Sequence, residues 1–161
     1  MTRVIIYLRQ MYHRVVKRNL RNTFAAVSRG DQQAVVRAFA PDAALSFAGD
    51  HALAGTFEGR DAIQEWFRRL FRCFPDLTLD PEKIVVEGFP WDTSVATRFR
   101  VRATLPTGAR YTNEGMQLLR IRWGRVVEER LYEDTQALST ALTAIADSGV
   151  LEASLSRSTI Q

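Results

Sequence analysis

The sequence is poor in the residues that bind metals and form disulfides. Its 161 residues include one cysteine, Cys73, and two histidines, His13 and His51. A single cysteine excludes an intramolecular disulfide and supplies no pair of thiolate ligands. The chain also has no glycine-rich phosphate loop and no signature of a serine or cysteine nucleophile. We therefore expect no metal and no cofactor, and a reducing, cytoplasmic location.

Long apolar runs are missing as well. A bilayer-crossing helix needs roughly 20 apolar residues, and no stretch of this sequence approaches that length. The run VIIYL near the start is too short for a secretory signal, and no small-residue cleavage site follows it.

Acidic residues are absent from the first thirty positions, which contain seven lysines and arginines. The whole chain carries +4 and this segment +7, which leaves −3 for the remainder. A basic helix can bind nucleic acid or an anionic membrane. The apolar residues of the segment nevertheless recur at helical spacing, which predicts a stripe that faces the core: Ile5, Leu8, Tyr12, Val15 and Val27. We therefore expect neither nucleic acid nor a membrane as a partner.

The hydrophobic period divides the chain into a helical first half and a second half of strands. The pattern predicts helices over 8–28, 32–40 and 60–74 with short strands between them, four long strands over 77–133, and a helix over 135–149. Helices first and a meander last predict an α+β fold with helices packed on one face of a sheet. We expect a single domain spanning 1–161.

Several segments resemble the nuclear-transport-factor-2-like (NTF2-like) superfamily, and its SnoaL-like, ketosteroid-isomerase-like branch above all. They are GDQQAVVRAFAPDAALSFAG, GTFEGRDAIQEWFRRLF, FPDLTL, VVEGFPWDTSVATRFRVRATLPTGARYTNEG and WGRVVEERLYEDT. The resemblance covers about 22–142, and it leaves a basic N-terminal helix extension over 1–21 and a C-terminal helix and tail over 135–161. It implies a cone-shaped α+β barrel, in which a strongly bent antiparallel sheet of about six strands wraps three main helices and a hydrophobic pocket.

The resemblance leaves the chemistry open. The superfamily includes ketosteroid isomerases, epoxide hydrolases and polyketide cyclases, together with non-catalytic binding and dimerisation modules. Matching the segments places Phe47 at the catalytic base of ketosteroid isomerases, Thr23 near their tyrosine and Gln117 at their protonated aspartate. It places Leu131 at the last-strand acid of epoxide hydrolases and polyketide cyclases. The known acids are not matched, so none of these mechanisms carries over unchanged.

The same comparison indicates which face of each strand meets the pocket. Leu131 should point inward, as those acids do, and Glu129 and Glu133 share its face because side chains alternate along a strand. The more apolar faces of the two preceding strands should also point inward: Val95, Thr97, Phe99 and Val101, then Tyr111, Asn113, Gly115, Gln117, Leu119, Ile121 and Trp123. The face with Arg98, Arg100 and Arg102 should then lie outside.

Glu129 is the first candidate for proton transfer, because a carboxylate in an apolar pocket is desolvated and its pKa rises toward neutrality. The alternatives are an ion pair with an inward arginine, or a strand twist that leaves Glu129 in water. His51, on the loop after the first strand, is a second candidate, since imidazole exchanges protons near neutral pH. The remaining pocket residues that we expect are Trp66, Phe67, Thr97, Phe99, Tyr111, Asn113, Gln117, Leu131 and Glu133.

Two functions follow from these candidates. The first is a cofactor-independent isomerase, hydratase or cyclase that acts on a hydrophobic, oxygen-bearing molecule, with Tyr111, Asn113 and Gln117 holding a developing oxyanion. The second is a non-catalytic module of the same fold that binds a small ligand or dimerises. We expect a homodimer through the outer sheet face, where Met116 and Leu118 lie among arginines and glutamates.

Overall fold

Helices cover one face of an open six-stranded sheet. A computed structural model describes residues 2–154, and the side chains of residues 4–154. The elements are α1 (Thr2–Ser28), α2 (Gln32–Arg37), β1 (Phe39–Phe47), β2 (Gly55–Glu58), α3 (Arg60–Cys73), β3 (Thr78–Phe89), β4 (Asp92–Thr104), β5 (Arg110–Arg122), β6 (Arg125–Glu133) and α4 (Thr135–Asp147). The predicted α+β fold, with three helices before the meander and one after it, is confirmed. Most of the predicted tail lies outside the described residues.

The sheet is mixed, whereas we expected it to be wholly antiparallel. Its strand order is β2-β1-β6-β5-β4-β3, and β1 pairs with β6 in parallel while the other neighbours are antiparallel. A tight hairpin forces its two strands to run antiparallel. Because β1 and β6 are separated in the chain by β2, α3 and the meander, no hairpin sets their relative direction.

The short helix α2 and the first strand differ from the prediction near Pro41. We expected α2 to continue to Pro41, but it ends at Arg37 and Phe39 already pairs with Val126 of β6. Pro41 lies where the β1–β6 register shifts, between Phe39 and Ala44. Proline lacks an amide N–H, so it fits a strand at such an irregularity.

Helix α1 is longer than predicted, and its buried side chains are confined to its second half. It begins at Thr2 and has 27 residues, which corresponds to roughly 40 Å of helix. Its buried residues all lie from Val16 onward. None of the described helices, α1 included, is long and apolar enough to cross a membrane.

The core-facing stripe that we predicted for α1 is therefore wrong over the first half of the helix. Ile5 is 49% exposed, Leu8 59% and Val15 42%, while Tyr12 is half-buried and Val27 is buried. Every described side chain from Val4 to Met11 is exposed, because no described element covers this part of the helix.

The strands of the meander follow the predicted alternation. Along β4, every second residue from Thr93 to Ala103 is buried, and along β5 the buried positions start at Tyr111. Trp123 is the exception, because β5 ends at Arg122 and Trp123 lies in the turn, 74% exposed. The inward faces of β4, β5 and β6 therefore share one side of the sheet with the helices.

The outer face of the sheet carries arginines that are paired within the chain. Arg98 and Arg100 both contact Glu82, at 2.8 and 2.9 Å, and Arg102 contacts Asp80. On β5 and β6, Arg120 pairs with Asp92 and Arg130 with Glu128. Their charges are thus balanced by neighbouring carboxylates.

Candidate functional site

The main cavity lies between the inward face of the sheet and the helices, with a volume of about 260 Å³. Side chains from α1, α3, β4, β5, β6 and α4 line it, and most of them are apolar or aromatic. The predicted site residues that line it are Trp66, Phe67, Phe99, Tyr111, Gln117, Glu129, Leu131 and Glu133. Thr97, Asn113 and His51 do not line it.

Strand β6 places Glu129 in the wall of this cavity. Glu129 aligns with Leu45 on β1 and with Leu119 on β5, so both neighbouring strands fix its position. Alternation turns it to the same face as Leu131, and only 4% of the residue is exposed. The structure thus shows the inward orientation and does not show the solvated alternative.

Glu129 is bonded to an amide. Gln117 Nε2 donates a hydrogen bond of 2.5 Å to Glu129 Oε1, and no lysine or arginine of the described chain forms an ion pair with this carboxylate. Burial raises the pKa of Glu129 from 4.5 to about 7, against a smaller lowering by the Gln117 hydrogen bond. At neutral pH the group is therefore divided between its charged and neutral forms, so that it can both accept and donate a proton.

Two buried polar atoms on the inward faces of β4 and β5 have no hydrogen-bond partner among the described residues. They are Gln117 Oε1 and Thr97 Oγ1, and the two residues lie directly opposite each other on β5 and β4. Buried polar atoms are nearly always hydrogen-bonded in folded proteins. Gln117 lines the cavity, so a ligand group that donates a hydrogen bond can satisfy its oxygen.

A second polar cluster consists of Tyr111 and Glu133, which line the cavity, and Asn113, which does not. Asn113 Nδ2 donates to Tyr111 Oη at 2.8 Å, to the Asp134 carbonyl at 3.0 Å and to Glu133 Oε2 at 3.3 Å. The Asn113 side-chain amide therefore donates its hydrogen bonds within the protein, and the expectation that it holds a substrate oxyanion is wrong. Burial raises the pKa of Glu133 to about 7 and, with the nearby Glu133 charge, lifts that of Tyr111 well above its usual value.

Aromatic rings form the cavity wall on the helix side. The Trp66 and Phe67 rings meet edge to face at 5.0 Å, and Trp66 Nε1 donates to the Leu53 carbonyl at 3.0 Å. Phe47, at the position that resemblance assigns to the base of ketosteroid isomerases, also lines the cavity and contacts Trp66. An apolar ring thus replaces that carboxylate.

Gly115 makes room for the Phe99 ring. The two residues lie opposite each other on β5 and β4. A Cβ atom at position 115 would lie 2.4 Å from Phe99 Cζ, which is closer than such atoms can approach, and 3.0 Å from Glu133 Cγ, which is a tight contact. The missing side chain therefore lets the ring rest against β5 at the cavity wall.

His51 lies outside the main cavity, so the structure does not join it to Glu129. Its Nε2 is 3.1 Å from the Ala48 carbonyl, and its ring meets the Phe47 ring edge to face at 4.7 Å. It borders a separate depression beside α4, and burial lowers its pKa. The loop position alone suggested that His51 was near the cavity, but Phe47 lies along the wall in its place.

Sequence reasoning missed the contribution of α1 to the cavity. Tyr12, Val15 and Asn19 line it, and Val15 and Asn19 are also exposed, so the cavity reaches the surface beside this helix. Thr23 lines it too, and the resemblance had already placed that residue near a catalytic position. The other α1 positions gave no signal because their apolar spacing is equally typical of a core.

The described residues contain no cluster of three or more histidine, cysteine, aspartate or glutamate side chains that could hold a metal ion. The polar groups that line the cavity include carboxyl, amide and phenol groups.

Comparison with solved structures shows which fold the chain shares. An NTF2-like protein of unknown function from Burkholderia pseudomallei K96243 has a TM-score of 0.68 and 22% identity, covering 78% of this chain and 95% of that one. A candidate SnoaL-like polyketide cyclase from Jannaschia sp. CCS1 has a TM-score of 0.62 and 22% identity, covering 78% and 91%. At these identities the likeness shows a shared NTF2-like fold.

The sequence model of the SnoaL-like domain matches residues 20–129, and the chain belongs to this family. Among curated proteins, the uncharacterised protein Rv0034 of Mycobacterium tuberculosis H37Rv is 48% identical over 44 residues. That match covers 27% of this chain and 34% of Rv0034, so the chain spans about a third of the length of the curated relatives it matches.

Proposed function

We propose that this chain is a cofactor-independent acid/base enzyme that isomerises, hydrates or cyclises a small, hydrophobic molecule bearing oxygen. The observation that carries the proposal is the burial of Glu129 in the wall of an apolar cavity with an amide as its hydrogen-bond partner. Without an opposite charge, a buried carboxylate costs stability, and its pKa rises toward the working pH of a general base.

In the simplest reaction of this kind, Glu129 removes a proton from a carbon next to a substrate carbonyl. Where a carbon–carbon double bond follows that carbon, the electron pair moves onto the carbonyl oxygen as a dienolate. The Glu129 carboxyl then returns the proton to the far carbon of this double bond, and the double bond moves into conjugation with the carbonyl. Gln117 Nε2 has two N–H groups and one of them holds Glu129, so the other can donate to the substrate oxygen. The cavity accepts a ligand that is apolar over most of its length and polar beside Glu129 and Gln117.

The matched pair Glu129→Gln and Glu128→Gln tests the proposal. The two glutamates are neighbours on β6, but Glu128 lies on the outer face and pairs with Arg130. We would incubate the protein in deuterated water with polycyclic ketones that have a C–H group next to the carbonyl, and follow deuterium uptake by NMR. General acid/base catalysis contributes roughly 10²–10⁴-fold, so Glu129→Gln should lose at least a hundredfold while Glu128→Gln keeps the rate. Equal rates in both variants would refute the role of Glu129.

The second candidate is a module that binds a small ligand without reaction. Phe47 and Leu131 favour it, because both are apolar where catalytic relatives carry acids, and the Asn113 amide is used within the protein. Binding of the same ketones without deuterium uptake, measured by calorimetry, would select this candidate.

The cytoplasm remains our proposed location. The one cysteine, Cys73, is buried, and burial raises the pKa of its thiol to about 11. A thiol in that state is unreactive and requires no oxidising compartment.

A further inference from the structure

We propose that the first half of α1 is an interfacial helix that binds the surface of an anionic membrane. The proposal concerns Val4–Val15 and does not depend on the function proposed for the cavity.

The first observation is an exposed apolar stripe along one side of α1, in a segment where Ile5, Ile6 and Tyr7 are also exposed. Its members are Val4, Leu8, Met11 and Val15, which are 60%, 59%, 46% and 42% exposed. Their spacing of four, three and four residues places them on one side of the helix. At about 100° per residue, this side lies roughly 145° from the side that α1 buries with Val16, Leu20, Phe24 and Val27. The stripe is therefore separate from the core contact.

The second observation is a set of arginines on α1 that form no ion pair within the described residues. Arg9, Arg14, Arg18 and Arg21 are exposed, and none of them forms an ion pair within the described residues. The arginines of the outer sheet face behave differently, since Arg98, Arg100, Arg102, Arg120 and Arg130 all have carboxylate partners. The free cations of α1 are thus available to an external anion.

These two features together fit a lipid surface better than the other partners of a basic helix. An apolar face flanked by arginine and lysine is the pattern of helices that lie in the interface of anionic bilayers. Nucleic acid would pair with the arginines but would leave the apolar stripe in water. A second copy of α1 would cover the stripe but would bring two sets of bases together, because the first thirty residues contain no acid.

The apolar stripe of α1 lies next to the opening of the cavity. Val15 belongs to the stripe and also lines the cavity, beside Tyr12 and Asn19. A membrane that covers the stripe would therefore lie at the opening of the cavity, and an apolar ligand could enter from the lipid phase. The sequence pattern assigned Ile5, Leu8 and Val15 to the core, and for that reason we expected no membrane partner. The structure exposes all three side chains.

The experiment is co-sedimentation of the full chain with vesicles of phosphatidylcholine, with and without phosphatidylserine, at low and high salt. We expect binding to the phosphatidylserine vesicles at low salt and loss of binding at high salt. The double variant Leu8→Asp/Met11→Asp should lose binding. Arg14→Gln should weaken it about fivefold, because each basic residue near such a surface contributes about 1 kcal/mol.

Two matched controls keep the test specific. Leu151→Asp removes an apolar side chain that is 75% exposed elsewhere, and Arg98→Gln removes an arginine of the outer sheet face. Both should bind vesicles like the unchanged protein, and circular dichroism should show that every variant is folded. The proposal is overturned if the protein does not bind phosphatidylserine vesicles at low salt, or if Leu8→Asp/Met11→Asp binds them equally well. It is also overturned if Leu8→Asp/Met11→Asp lowers the molecular mass of the protein without changing vesicle binding, because the stripe then belongs to an interface with a second copy. Binding of duplex DNA without binding of vesicles would overturn it as well.

Discussion

Gln117 and Glu129 lie diagonally across the neighbouring strands β5 and β6, with the amide nitrogen 2.5 Å from the carboxylate oxygen. The amide approaches Glu129 without adding a positive charge, so it orients the carboxylate and only partly offsets the rise in its pKa that burial causes. A lysine or arginine at position 117 would hold the carboxylate ionised. The neutral partner is therefore what keeps the proton of Glu129 exchangeable near neutral pH.

The first prediction concerns the pH dependence of stability. The folded-state pKa of Glu129, about 7, lies above its ordinary value of 4.5, so the folded protein binds the proton more tightly than the unfolded chain does. This contribution is fully present below the ordinary pKa and is lost as the pH rises through about 7. This contribution to the free energy of unfolding amounts to about 3 kcal/mol.

Urea unfolding across this pH range measures the effect. Glu129→Gln is neutral at every pH, so its free energy of unfolding should fall less steeply toward alkaline pH than that of the unchanged protein. Glu133 shows a pKa shift in the same direction, and Glu133→Gln should remove a further part of the slope. Parallel curves for the unchanged protein and Glu129→Gln would show that Glu129 titrates normally.

The second prediction compares two buried threonines on the inward face of β4. Thr97 Oγ1 has no partner among the described residues, so Thr97→Val should leave the free energy of unfolding unchanged or raise it by about 1 kcal/mol. Thr93 is equally buried, but its hydroxyl bonds Tyr12 Oη and the Phe89 carbonyl, both at 2.6 Å. Thr93→Val should therefore cost about 1–3 kcal/mol. Thermal and urea unfolding of both variants check the contrast, and an equal loss in the two would contradict it.

The third prediction concerns Gly115. The Cβ of Gly115→Ala would overlap the Phe99 ring, so the ring must move toward the cavity at a cost of about 1–3 kcal/mol. Phe99→Leu removes the atoms that clash, and the double variant should recover part of the loss. A double-mutant cycle by urea unfolding measures this coupling, and strictly additive effects would rule out the contact.

The fourth prediction is a homodimer through the outer sheet face. Met116, Leu118 and Tyr132 are 40%, 42% and 43% exposed on adjacent strands, and ion-paired arginines surround them. Leu118→Asp should convert a dimer into a monomer in multi-angle light scattering. Met11→Asp, an equally exposed change on α1, should not alter the mass. A monomeric unchanged protein at micromolar concentration would disprove the prediction.

The inward faces of the strands could be predicted from the sequence because alternation is a local rule. It placed Glu129, Leu131 and Gln117 on one side, and the structure agrees. The position of His51 could not be predicted in this way, since a loop has no period that fixes its side chains. The first half of α1 was misassigned for a related reason: helical spacing shows that one side is apolar, but it does not show whether anything packs against that side.

Glu129 lies on a strand that is paired along both edges, with Leu45 on one side and Leu119 on the other. Strand pairing therefore fixes the backbone of Glu129, and the Gln117 hydrogen bond holds its carboxylate. An apolar ligand, by contrast, could occupy several positions along the apolar cavity. Regioselectivity would then depend on how far a molecule enters, because the carbon that stops beside Glu129 is the one that exchanges its proton. Other side chains of the cavity wall, such as Phe99 or Leu138, would then determine which carbon reacts without contacting that carbon.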